Sequence, residues 1–188
     1  MNPAAAIDAE LKRLRAEGAR WLEARVLNER ALVMDELRPN ARALASHLLE
    51  RKPELLARMR MAPSDAGDGM DLRAIILSPT GDSLRDVLIF VANDDPSVAF
   101  GTWHTHFDFD AGRGATEAAN LVDAILCDDF VMLALYDKDA RATTHVCDLR
   151  EEDALADALT SRYTTGEGRL LSWSGGADRD VSLATLKM

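Results

Sequence analysis

The sequence predicts an α+β fold: a mainly antiparallel sheet with helices packed on it, preceded by an N-terminal helical arm. Three observations carry this reading. Ile7, Leu11, Leu14, Trp21, Leu22, Val26, Val33 and Leu37 recur mostly at steps of three or four, the period of an amphipathic helix. Beyond Gly69 the apolar runs become short and are split by turn residues, as strands are. The short connections between the first of these runs make antiparallel neighbours, and the order βββαββαβ is that of an α+β domain.

The elements follow in chain order. The first helix covers 4–37 and stops at Pro39. Asn40 is placed to cap a second helix carrying Leu44, Leu48 and Leu49. Pro53 and Glu54 open a third, short helix bearing Leu55, Leu56 and Met59. Residues 1–62 are therefore expected to form a helical arm that either folds back or pairs with a second copy; Gly18 and Asn28 interrupt any regular coiled coil. Residues 63–70, rich in Asp and Gly, read as a linker, and 71–188 as the α+β domain. Within it, strands are expected over 72–78, 84–92 and 98–103, separated by Pro79-Thr80-Gly81-Asp82 and Asn93-Asp94-Asp95-Pro96. A helix over 116–128 presents Ala119, Val122, Ile125 and Leu126 on one face. Residues 130–136 are apolar throughout, the mark of a central strand covered on both faces. A strand over 143–147, a helix over 151–163 and a strand over 170–174 complete the set.

Charge narrows the partners. The chain carries a formal charge of −10, but 1–62 hold 12 Lys and Arg against 9 Asp and Glu, whereas 63–188 hold 10 against 23. So acidic a domain repels nucleic acid, whose binding rests on basic side chains displacing counterions, and it repels anionic membrane surfaces equally. Its natural complement is a basic protein or a cation. No apolar run approaches the ~20 residues that span a bilayer, and the first residues lack the pattern of a signal peptide. Cys127 and Cys147 sit among apolar residues and read as reduced core thiols. A cytoplasmic globule is the expectation.

One stretch carries chemistry, Trp103-His104-Thr105-His106-Phe107-Asp108-Phe109-Asp110. In an extended chain alternate side chains share a face, so His104, His106, Asp108 and Asp110 line one side and the aromatic residues the other. Two uses of that side are open. One is a partner-binding surface made of Asp94, Asp95, His104, His106, Asp108 and Asp110, with no cofactor. Alternatively, His104, His106, Asp108 and Glu117 hold zinc, whose ligands are imidazole and carboxylate groups. The same alternation also belongs to any strand with one wet face.

Two resemblances bear on the choice. Gly101-Thr102-Trp103-His104-Thr105-His106 resembles the metal motif of the JAMM-type zinc hydrolases, which cleave isopeptide and related bonds. Where that family carries a Ser and then a metal-binding Asp, this chain has Gly114 and Glu117. The upstream catalytic Glu has no counterpart, since no glutamate lies between Glu54 and Glu117, and Asp86 is the only acid inside an upstream strand. Separately, the Trp-His-Thr-His-Phe-Asp block after an acidic hairpin, followed by an Ala-rich helix and an apolar strand, resembles a group of small bacterial proteins. Some of these are immunity proteins encoded beside polymorphic toxins. Ser172-Trp173-Ser174-Gly175 and Asp178-Arg179-Asp180 add to the likeness. It implies a cytosolic inhibitor that occludes a toxin's active site and has no catalysis of its own. The expectation is thus an acidic binding protein, an immunity-type inhibitor of a basic toxin such as a nuclease, with a metal-dependent hydrolase as the alternative.

Overall fold

The structure, a computed structural model, describes residues 8, 9, 11–13, 16, 29–64, 69–92, 94–107, 113–137, 142–160 and 164–186. Its architecture is α+β with antiparallel sheets, as the sequence predicts. Most of the expected first helix lies outside the described residues, and its last part is not α-helical: Arg30–Ala31 is a strand and Met34–Glu36 a single 3-10 turn. Of those that are described, Leu11 is buried in the main core and Asp8 pairs with Arg169 at 2.6 Å.

The described residues form two sheets. In the first, β1 (Arg30–Ala31), β2 (Met59–Pro63), β3 (Met70–Ile76), β4 (Val87–Ala92), β5 (Asp95–Phe100) and β6 (Trp103–His106) pair in chain order, every pair antiparallel. The second, in order β10-β9-β7-β8, contains β7 (Phe130–Asp137), β8 (Ala142–Asp148), β9 (Thr164–Leu171) and β10 (Arg179–Ser182). Helices α1 (Pro39–Arg51) and α2 (Arg113–Leu126) pack on each other and on the first sheet, and the short α3 (Ala154–Thr160) and α4 (Leu183–Leu186) lie against β9.

Alternation along β7 shows how the layers assemble. Met132 and Ala134 enter the main core, which also holds Leu44 and Leu48 of α1, Val122 and Ile125 of α2, and Leu72, Ile89, Val98 and Phe100 of the first sheet. Val131, Leu133 and Leu135 point the other way, into a second cluster with Leu159, Leu170 and Val181. Residues 130–135 thus form a strand covered on both faces, as the sequence predicts for 130–136. Each Leu, Ile or Val taken fully out of water contributes about 1.5–3 kcal/mol, so strands that bury on both sides anchor the fold.

The structure differs from expectation where local pattern is weak. The third expected strand, 98–103, is a hairpin: β5 and β6 are joined by Gly101-Thr102, with Phe100 paired to Trp103. Gly101 has φ +62, the left-handed conformation a two-residue turn needs and glycine adopts without strain. It is also a close approach, since a Cβ there would meet Leu84 O at 2.6 Å and Met132 Sδ at 2.9 Å. The segment expected as linker, 63–70, joins two hydrogen-bonded strands: Met59 and Met61 of β2 share a core with Ala74 and Leu72 of β3, their cross-strand neighbours from the other side of that division. Short β1, β2 and β10 escape periodicity. Pro39, read as a helix stop, is the first residue of α1, so Asn40 lies inside the helix and does not cap it. Cys127, expected in the core, is exposed in the turn that ends α2, while Cys147 is buried.

A polar weld joins the two sheets. Arg85, nearly buried between β3 and β4, pairs with Asp82 at 3.3 Å and Asp178 at 2.7 Å, and donates to Ser172 O at 3.2 Å. Ser78 Oγ donates to Trp173 O at 2.6 Å. A buried guanidinium is tolerated only when paired and hydrogen-bonded this fully. Beside it Asp86 accepts from Ser78 N at 2.8 Å. Burial, more than the nearby Asp82 charge, pushes the Asp86 carboxyl above its usual 3.8.

Two outcomes follow. Gly101→Ala forces a left-handed alanine against a backbone oxygen, which costs at least about 2 kcal/mol and lowers Tm by roughly 4–8 °C; a calorimetric scan measures it. Asp86 holds its proton more tightly folded than unfolded, so its ionisation removes stability as pH rises above 3.8. Asp86→Asn keeps the acceptor for Ser78 and loses that penalty. Its Tm should exceed the parent's at pH 7 and converge with it towards pH 3.

Candidate functional site

The candidate site is built on the β5–β6 hairpin at one end of the first sheet. Trp103 and Thr105 face the main core, where Trp103 meets Phe130 with ring centroids 5.2 Å apart. His104 and His106 therefore share the opposite face, and both are exposed. Their ring centroids lie 5.4 Å apart with planes at 89°. The alternation expected of this strand is present over the residues described. Asp108 and Asp110 lie outside the described residues.

His106 is oriented from β5. The two-residue turn sets Ser97 directly across from it, and Ser97 Oγ lies 2.8 Å from His106 Nδ1. Asp95 Oδ2 is 3.2 Å from the same nitrogen. One ring nitrogen is thus held by two oxygens. This is not a serine-hydrolase relay, in which the nucleophile and the carboxylate sit on opposite nitrogens of one imidazole. Ser97 is also almost fully buried, out of reach of a substrate. His104 makes no hydrogen bond among the described residues.

The remaining expected site residues do not converge on this pair. Asp94 turns inward: its Oδ1 accepts from Asn40 N at 2.9 Å, and its carbonyl accepts from Asn40 Nδ2 at 2.9 Å. It caps the first turn of α1 from a different part of the chain, supplying an acceptor to one of the unpaired N–H groups found there. Its φ of +67 suits an Asp or Asn better than most residues. Glu117 lies on α2 and pairs with Arg113 one turn away at 2.9 Å. Among the described residues no three His, Cys, Asp or Glu side chains are grouped to hold a metal.

Ser97 is the functional neighbour that sequence reading missed. Its signal was Gly101: once a two-residue turn is placed there, counting back from His106 gives Ser97 as its partner. Cys147 offers little chemistry. Burial, then the charges of Asp148 and Glu151, raises the Cys147 pKa, which keeps the unreactive thiol form. No described helix is long and apolar enough to cross a membrane. No family model, curated protein or solved structure matches the chain.

The cap gives a test that separates structure from surface charge. Asp94→Ala removes the acceptor and leaves alanine with a positive φ, a loss of about 2 kcal/mol. Asp94→Asn keeps both acceptors and discards the charge, so its urea midpoint should stay close to the parent's.

Proposed function

We propose that this chain is a non-enzymatic, cytoplasmic binding protein whose β5–β6 hairpin contacts a basic protein. The most specific form of this reading is an immunity-type inhibitor that covers the active site of a basic toxin such as a nuclease. The observation that carries it is the outward presentation of His104 and His106 beside Asp95, on a hairpin whose other face is anchored in the core by Trp103. Contact residues held on a rigid element lose little freedom on binding. The 23 acids against 10 bases of residues 63–188 supply a field that draws in a cationic partner.

A metal-dependent hydrolase has weaker support. It needs three protein ligands and a base to activate water, and the described residues bring two imidazoles together without a third ligand. Glu117 is engaged by Arg113, and no glutamate stands upstream in the sheet. Asp94 leaves the contact surface for its helix, so Asp95, His104 and His106 are its described members.

Co-purification from the native cell under low salt tests the proposal. The expected result is one basic protein retained, with retention falling steeply as salt rises. A combined Asp95→Asn, His104→Ala, His106→Ala variant that still folds should bind about tenfold more weakly or worse. Recovery of only acidic proteins, or of none, overturns the reading.

A further inference from the structure

The histidine hairpin is the margin of a larger surface. His106 pairs across to Ser97, Ser97 to Phe90 and Phe90 to Arg73. His104 pairs in the same way to Ala99, Ala99 to Leu88 and Leu88 to Ile75. Directly paired residues share one face of a sheet. Two rows of side chains therefore run from the imidazoles across the face turned away from α1 and α2. The opposite face, with Leu72, Ile89 and Val98, fills the main core.

Ile75, Leu88, Phe90 and Ala99 are half-buried and, among the described residues, belong to neither core. The charges around them are matched locally. Arg73 lies 3.5 Å from Glu29, Arg60 donates to Ala57 O and Met59 O, and Asp95 meets His106. The middle of this face is apolar. Beside Phe90 it dips into a recess of about 240 Å³, walled by Ala62, Ala92 and the oppositely charged Asp71 and Arg73. That is the space of about eight waters, enough to take a side chain.

Size decides the role of this face. A stable interface uses about 800 Å² and 20–30 residues on each partner, far more than Asp95, His104 and His106 present. A protein that covers the hairpin must reach beyond it, and the hairpin's own face continues without a break to Arg73 and Ile75. We propose, on the premise of the basic partner argued above, that this partner sets an apolar side chain against Phe90 and Leu88 and its cations along the Asp95 rim. Phe90 then makes the central contact that excludes water, and the histidines belong to the polar rim. Rim charge governs how fast the two proteins meet, and the apolar centre how slowly they part.

The experiment uses the untagged full chain and, as probe, the basic protein it retains at low salt, purified and followed by surface plasmon resonance. Phe90→Thr removes the ring and keeps a strand-forming residue. It should raise the dissociation rate about 10–100-fold and leave the association rate and its salt dependence unchanged. Asp95→Asn should slow association and weaken its dependence on salt. Without the partner, Phe90→Thr should lower Tm by less than about 8 °C, since the ring fills neither core. A retained basic protein that binds Phe90→Thr as tightly as the parent overturns the proposal and spares its premise; no retained basic protein overturns both. A Tm loss above about 8 °C shows that the chain itself covers the face. A parent that is a dimer in solution, and a monomer as Phe90→Thr, shows that a second copy does. Either result also overturns the proposal.

Discussion

The fold depends on keeping both faces of β7 out of water. A strand apolar at every position from Phe130 to Leu135 cannot lie on a surface, so each face needs its own cover. One face takes α1, α2 and the first sheet through Met132 and Ala134; the other, lined also by Leu170 and Val181 of the same sheet, takes Leu159 of α3. That demand ties two sheets, which share no ladder hydrogen bond among the described residues, into one arrangement. It also reaches the candidate site. Met132 lies against Gly101, and Phe130 at the start of β7 meets Trp103, so the β5–β6 hairpin is held at its turn and at its first strand residue. His104 and His106 face outward because their neighbours on β6 are claimed by the core.

Electrostatics near the site are local. Although residues 63–188 carry a large excess of acid, the structure spends individual carboxylates on different tasks. Asp94 caps α1, Asp82 and Asp178 neutralise Arg85, Asp128 receives both the backbone and the hydroxyl of Ser174, and Asp95 orients His106. Net charge thus sets the long-range field, while the contact chemistry rests on the few acids not already engaged in holding the chain. Two of the four acids expected beside the histidine strand are accounted for in this way, one inward and one in place.

The central elements were legible because their patterns are long. The helix expected over 116–128 is α2 at Arg113–Leu126, and the strands over 72–78, 130–136 and 143–147 correspond to β3, β7 and β8. What escaped was short or depended on distant partners. β1 has two residues and β10 four, too few for a period to register. β2 follows a helical turn and looks like its continuation until β3 pairs with it. Gly101 was read within a strand, yet its positive φ is what divides 98–103 into the end of β5, a turn and the start of β6.

The sequence by itself determined the fold class, the double burial of β7 and the sharing of one face by His104 and His106, because each follows from residue spacing along a single element. Which acids belong to the site was decided only by tertiary structure. Asp94 and Asp95 are adjacent in sequence and chemically identical, but one meets the open N–H groups of α1 and the other a ring nitrogen across a hairpin. A carboxylate takes its role from the donor it meets, and that donor is brought to it by packing between elements far apart in the chain.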